Sequence, residues 1–285
     1  IYPIFGASLI IMAIGIGFGI ISQGYTIPEL SFSNMHPKST PIFPFLFITI
    51  ACGAISGFHA TQSPLMARCV KTEKDARRIF YGSMVAEGII ALIWAAAAMA
   101  FFGGTGALAE TLGNGGPGVV VNTISTSLLG TVGGALALLG VVACPITSGD
   151  TAFRSARLTI ADAMSFEQGP IKKRLLLSLP LFVVGFALTR IDFNIIWRYF
   201  AWSNQTLAMI VLWAAAAYLV KMGKSHWMTS LPATFMTAVS ITYIMQAPEG
   251  FRLATSIAYP VGAAAAILAL GFFIFKSKAE VVPAK

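Results

Sequence analysis

Pro44-Phe-Leu-Phe-Ile-Thr-Ile-Ala-Cys-Gly-Ala-Ile-Ser-Gly-Phe-His-Ala-Thr-Gln-Ser-Pro64 begins as a membrane helix and then departs from one. Up to Ile55 it is almost wholly apolar. Ser56, Gly57, His59, Thr61, Gln62 and Ser63 then gather polar groups where a helix should still be crossing lipid. Gly53 and Gly57 weaken the helix, and Ser63 before Pro64 has the form of an N-cap with proline at the first helical position. The stretch therefore predicts a helix broken around Ser56–Gln62. Unwound backbone at membrane depth is tolerated only where protein or a water-filled cavity surrounds it. Transporters use such breaks because freed backbone groups and positive half-helix ends hold anions. Histidine is the side-chain type suited to carrying protons under physiological conditions, so His59 either carries a coupling proton or is a structural histidine.

The rest of the chain has the composition of a membrane protein. Of 285 residues, 56% are hydrophobic and 11% charged, with a mean hydropathy of +0.79. Soluble domains carry about 25% charged residues. The pattern excludes a water-soluble enzyme, a disordered tail and a disulfide-stapled domain, since Cys52, Cys69 and Cys144 are few and scattered. An all-α polytopic membrane bundle is expected, with 1–285 forming a single transmembrane domain. About eight apolar stretches can be marked, near 3–22, 42–58, 79–102, 129–149, 174–190, 204–220, 228–246 and 257–275. The glycine-rich stretch 103–123, which lacks basic residues, reads as an external loop with one short helix.

Basic residues set the orientation. With the N-terminus cytoplasmic, fifteen of the nineteen Lys and Arg face the cytoplasm, among them Arg68, Lys71, Lys74, Arg77 and Arg78. Only Lys38, Arg190, Arg198 and Arg252 face outward. This is a positive-inside pattern with both termini cytoplasmic. The net charge of +8 is then an orientation device at an anionic leaflet, not a nucleic-acid footprint. Thr72, ahead of Glu73 and Asp75, looks like an N-cap with first-turn acids.

Other departures from a plain apolar bundle mark further candidates. Glu87 lies about 12 Å into the third span, and an intramembrane carboxylate is a functional candidate by default. It either carries a proton or locks two helices. Ser83, Glu87, Ala91 and Ala95 recur every fourth residue as a stripe suited to the bundle interior. Pro145 frees the carbonyl of Val141, and Thr147, Ser148 and Asp150 then offer hard oxygens for an alkali cation or a proton relay. Asp150 and Arg154 have the spacing of an ion pair, either a clamp or a site. Asn204 and Gln205 open the sixth span and either bind substrate or cap the helix. Gly15 with Gly19, and Gly130 with Gly134, have small-xxx-small packing spacing. His36 and His226 sit in loops with no evident partner. No sequence pattern of hydrolase, phosphate loop or metal site is present, so neither an enzyme nor a cofactor is expected.

The same irregular places resemble the carbon starvation protein A family. The resemblance rests on Pro44–Ala60, on Tyr81-Gly-Ser-Met-Val-Ala-Glu-Gly and on Thr147-Ser-Gly-Asp-Thr-Ala-Phe-Arg-Ser-Ala-Arg157, together with Trp202-Ser-Asn-Gln-Thr-Leu-Ala. It implies an inner-membrane uptake transporter, with pyruvate and peptides as substrates in different members. It also implies the amino acid–polyamine–organocation fold, a five-plus-five inverted repeat. The second span here then matches the broken sixth span of that fold. The fourth matches the eighth, which in sodium-coupled relatives supplies hydroxyl ligands, placing Thr147 and Ser148. Family members begin with further spans, so the chain is expected to be the C-terminal portion of a longer transporter, with a partner chain able to supply the rest.

The function expected is secondary active uptake of a small carboxylate or of peptides, coupled to H+ or Na+. Ser56, Gly57, His59, Gln62, Asn204 and Gln205 are the expected substrate-binding residues. Thr147, Ser148, Asp150 and Glu87 are the expected coupling residues. The rival is a non-transporting subunit or sensor within a larger membrane complex.

Overall fold

The computed structural model describes residues 2–29 and 33–280. Ile1 and Lys285, the latter counted above among the cytoplasmic cations, lie outside the described residues. Every regular element among the described residues is helical. In chain order these are α1 (Tyr2–Ser22), α2 (Ile42–Thr49), α3 (Ala51–Ala54), α4 (Phe58–Ala67), α5 (Glu73–Ala76), α6 (Gly82–Phe101) and α7 (Thr105–Ala137), followed by α8 (Ala143–Ala163), α9 (Ile171–Leu188), α10 (Phe193–Lys221), α11 (Trp227–Gln246) and α12 (Thr255–Glu280). Wide π turns at Arg77–Tyr81 and Leu138–Val142 lead into α6 and α8. Six helical stretches are long and apolar enough to cross a membrane: Pro3–Ser22, Glu73–Phe101, Thr105–Ala137, Phe193–Lys221, Trp227–Gln246 and Thr255–Ser277. The pieces α2, α3 and α4 are each too short to cross, and α9 opens on Lys172, Lys173 and Arg174.

The chain forms two compact units, residues 1–40 with 69–177 and residues 41–68 with 178–285. In the first, Met12, Ile16 and Ile20 of α1 pack on Ala97 and Ala100 of α6 and on Val120, Ile124 and Ala137 of α7. Gly15 and Gly19 allow that approach. A Cβ on Gly15 would lie 2.9 Å from Leu129 Cδ2, and one on Gly19 would lie 3.2 Å from Leu128 Cβ. The packing reading of this glycine pair holds.

Several expectations for the first unit are corrected. The stretch 103–123 is not a loop: α7 runs through it, and the span placed at 129–149 starts far earlier. Gly116 takes φ 73°, after which Pro117 restarts the helix with the φ it is built for. Gly130, at φ 65° with open space around it, is a bend and not a packing contact. Pro145 brings no break, since α8 continues through Thr147, Ser148 and Asp150. The missing donor falls at the junction with the π turn, where the i→i−4 ladder is already interrupted. The stripe on α6 does not face the interior, because Ser83 and Ala95 are exposed. Thr72 does precede α5, but its hydroxyl donates to Asp75 Oδ2 at 2.6 Å instead of accepting a backbone N–H. His36 is also partnered: its Nδ1 accepts the Lys38 and Thr40 amides.

The second unit is centred on α11, whose Ser230, Ala233, Met236, Thr237, Val239, Ser240, Thr242 and Tyr243 are buried. Small and hydroxylated residues let its neighbours come close. A Cβ on Gly262 of α12 would fall 1.9 Å from Thr242 Oγ1, so only glycine fits there. Beside α11, Ile48 of α2 joins Met236, Val239, Tyr243 and Ala247 in a core fringed by Phe43, Phe45 and Phe47. Tyr259 of α12 donates to the Phe43 carbonyl at 2.6 Å and fixes where α2 begins. His226 is not isolated either, lying 3.0 Å from Ser230 Oγ through Nδ1 and against the rings of Trp227 and Phe273. α9 differs from all of these: Leu175, Leu179, Phe182, Val183 and Phe186 form an exposed apolar face along it.

Candidate functional site at the interrupted helix

The chain from Ile42 to Ala67 is interrupted, as its polar residues predict. After α2 the backbone turns at Ile50, α3 adds one turn, and Ile55–Gly57 is non-helical before α4 starts at Phe58. The break is narrower than expected. His59, Thr61 and Gln62 lie within α4, and Pro64 sits inside that helix instead of at its start. Ser63–Pro64 is therefore not a cap. Thr61 bonds back to the Phe58 carbonyl at 2.7 Å, as a hydroxyl inside a helix can.

An interruption leaves backbone groups without helical partners, and each such group left buried costs about 1–3 kcal/mol. Here α10 supplies the partners. Asn204 Oδ1 accepts the Phe58 N–H at 2.7 Å, and Ser56 Oγ approaches the same oxygen at 3.4 Å. Ser56 Oγ also lies 3.3 Å from the Phe58 nitrogen. Gln205 Nε2 donates to the Phe47 carbonyl at 2.6 Å, on the other side of the break. Asn204 is 7% exposed and Gln205 2%. These amides do not open a helix, since α10 begins at Phe193 with Asp192 as its cap. Asn204 caps another helix, α4, from about three turns inside its own.

Gly57 closes the contact. Its φ of −69° is available to any residue, so its reason is space. A Cβ there would fall 2.1 Å from the Asn204 carbonyl oxygen, 2.6 Å from the Ala208 nitrogen and 2.8 Å from Leu207 Cβ.

After these bonds, two buried polar atoms at the break, Asn204 Nδ2 and Gln205 Oε1, have no hydrogen-bond partner among the described residues. One is a donor and the other an acceptor. The remaining predicted substrate residues, His59 and Gln62, are half-buried on α4, one and four residues past Phe58. The structure thus brings together Ser56, Gly57, Asn204 and Gln205.

The predicted coupling residues belong to the other unit. Glu87 is half-buried on α6, and Thr147 and Ser148 are half-buried on α8. Asp150 pairs with Arg154 at 2.7 Å with about half of each side chain exposed. An exposed pair of this kind contributes about 0–1 kcal/mol, which suits a surface clamp. No three His, Cys, Asp or Glu side chains gather as metal ligands among the described residues.

Sequence reasoning missed a second polar centre. Glu249, between α11 and α12, has a side chain only 3% exposed and lies 3.1 Å from Arg198 Nε. The Tyr243 hydroxyl donates to the same carboxylate, and the Tyr199 hydroxyl donates to the Glu249 carbonyl at 3.0 Å. This ties the start of α10 to the α11–α12 turn. The available signal was Arg198, an arginine inside an apolar helix that required an acid.

Six helical stretches long and apolar enough to cross a membrane define a multi-pass α-helical membrane protein. The family model for the carbon starvation protein CstA matches residues 4–107. An uncharacterized protein of Haemophilus influenzae is 53% identical over 120 residues, covering 42% of this chain and 87% of that protein. The peptide transporter CstA of Campylobacter jejuni is 28% identical over 291 residues, covering 76% of this chain and 41% of the transporter. The pyruvate/proton symporter BtsT of Escherichia coli is 53% identical over 53 residues, 18% of this chain and 7% of the symporter. This chain thus spans less than half the length of those two named relatives. No solved structure matches it. The chain belongs to the carbon starvation protein CstA family.

Proposed function

We propose that this chain takes part in secondary active uptake of a small carboxylate such as pyruvate, or of peptides, across the inner membrane. The observation that carries the reading is the interruption at Ile55–Gly57, where Gly57 is buried and Asn204 and Gln205 bond the backbone on either side. A bundle with no ligand has no use for freed backbone groups in its interior. The names of two relatives, a peptide transporter and a pyruvate/proton symporter, support the two substrate classes. Ser56, Gly57, His59, Gln62, Asn204 and Gln205 are assigned to substrate, and Glu87, Thr147, Ser148 and Asp150 to coupling.

Counting α2–α4 as one broken crossing and α9 as another brings the six long stretches to eight, with both termini cytoplasmic as the distribution of basic residues favours. In this reading residues 1–285 form one transmembrane domain, part of an inverted repeat of the amino acid–polyamine–organocation type.

Uptake of labelled pyruvate and of a labelled dipeptide into proteoliposomes, driven in turn by a pH gradient and a Na+ gradient, is the deciding experiment. Accumulation above the equilibrium level supports transport. Binding without accumulation favours the subunit or sensor reading. His59 and Glu87 are separated by the pH dependence. The carrier of a coupling proton should lose its response to external pH when replaced by Gln, while the other variant keeps it.

A further inference from the structure

The N-terminus of α4 is where an anion would bind, since its first N–H groups lack helical partners and the dipole favours negative charge. The place is taken. Asn204 Oδ1 stands 2.7 Å from the Phe58 nitrogen. The other end of that amide, Nδ2, is a buried donor with no partner among the described residues, on a side chain only 7% exposed. Serine, threonine or aspartate would also satisfy Phe58 and would leave no amide donor idle. Burying an idle amide donor at a helix start is unfavourable unless something else uses it.

We propose that Asn204 holds the place of a substrate carboxylate and yields it when the substrate arrives. Its Oδ1 caps Phe58. A carboxylate that accepts the Phe58 N–H displaces Oδ1, and the turned amide donates Nδ2 to the same carboxylate. The ligand then receives hydrogen bonds from the Phe58 N–H and from Nδ2, a donor that the present cap leaves unused, with the Ser56 hydroxyl within reach of Phe58 and Asn204. Bonds to an ionised acceptor are stronger than the neutral one they replace. This rests on the transport reading above for the origin of the ligand, but the exchange itself concerns binding. The shared chemistry is a carboxylate, from a small acid or from a peptide C-terminus.

The test uses the full chain in nanodiscs, titrated with pyruvate, with alanyl-alanine and with alanyl-alaninamide, which lacks the carboxylate. Wild type should bind one or both acids at least tenfold tighter than the amide. N204D should lose about a hundredfold in acid affinity, because it places a fixed carboxylate at the cap and removes the donor. Its melting temperature should hold or rise, since aspartate caps as well as asparagine. N204S should lose about tenfold, keeping a single group that both accepts and donates.

Acid binding by N204D within twofold of wild type overturns the exchange, as does equal binding of acid and amide, or no binding of either acid by wild type. If N204D does not fold, N204S decides: affinity within twofold of wild type overturns it and a tenfold loss supports it. Competition between pyruvate and the dipeptide assigns the source of the carboxylate, and either winner supports the inference. Proteoliposome uptake keeps the two readings apart. Binding that responds to Asn204 without any wild-type uptake retires transport and leaves the exchange standing. Uptake indifferent to N204D retires the exchange and leaves transport standing.

Discussion

Among the described residues, α7 and the stretch from α2 to α4 are both interrupted at glycine, and in opposite ways. In α7 the chain turns at Gly116 and Gly130, both at positive φ with no neighbouring atom that would obstruct a Cβ. Between α2 and α4 it turns at Gly57, where φ is ordinary and the space is filled by α10. The first kind of glycine is chosen for its backbone and the second for its absent side chain. At the second interruption, side chains of α10 take up freed backbone groups. A bend that reshapes a helix needs only glycine, whereas a break that serves a ligand needs partners on a neighbouring element.

The sharpest test of that contrast is Gly57→Ala. The added methyl meets two backbone atoms that cannot turn aside, so α4 must leave α10 and the Asn204 cap fails with it. We expect a loss of about 3 kcal/mol or more, read as a collapse of the melting temperature and of uptake. Gln205→Leu comes next. It leaves the Phe47 carbonyl buried without its donor, at about 1–3 kcal/mol, and should lower both stability and uptake. Gly130→Ala separates the two kinds of glycine. Strain at φ 65° should cost about 1–3 kcal/mol in thermal unfolding while substrate affinity stays within twofold, because α7 contributes none of the proposed substrate residues. An equal loss of affinity there would erase the distinction. The smallest effect belongs to Ser56→Ala, whose bonds of 3.3 and 3.4 Å are long, and about 0.5–1 kcal/mol should show in binding.

The sequence made the membrane class legible because charge exclusion from lipid acts residue by residue. The break was legible at Ser56 and Gly57 for the same reason, since polar groups at depth need explaining. Its lower edge was misplaced because Ser63–Pro64 imitates a helix start, although α4 already runs through Pro64. α7 was hidden because Gly-Asn-Gly-Gly-Pro-Gly, residues 113–118, has loop chemistry, and only tertiary packing of Val120 and Ile124 on α1 keeps it helical. The role of Asn204 was out of reach altogether. Its partner, Phe58, is 146 residues away, and local spacing carries no trace of that pairing. Glu249 and Arg198 were unreadable as a pair for the same reason, standing 51 residues apart.

Asn204 and Gln205 are consecutive, yet they grip opposite sides of the interruption, one at Phe58 and the other at Phe47. Adjacent residues on one rigid helix cannot move apart. α10 is therefore a yoke: neither half-helix can shift along its axis without stretching a bond to the same rod, and a slide of α10 loosens both together. In the bonded arrangement, a displacement of either half-helix is for this reason passed to α10 through one of two consecutive residues.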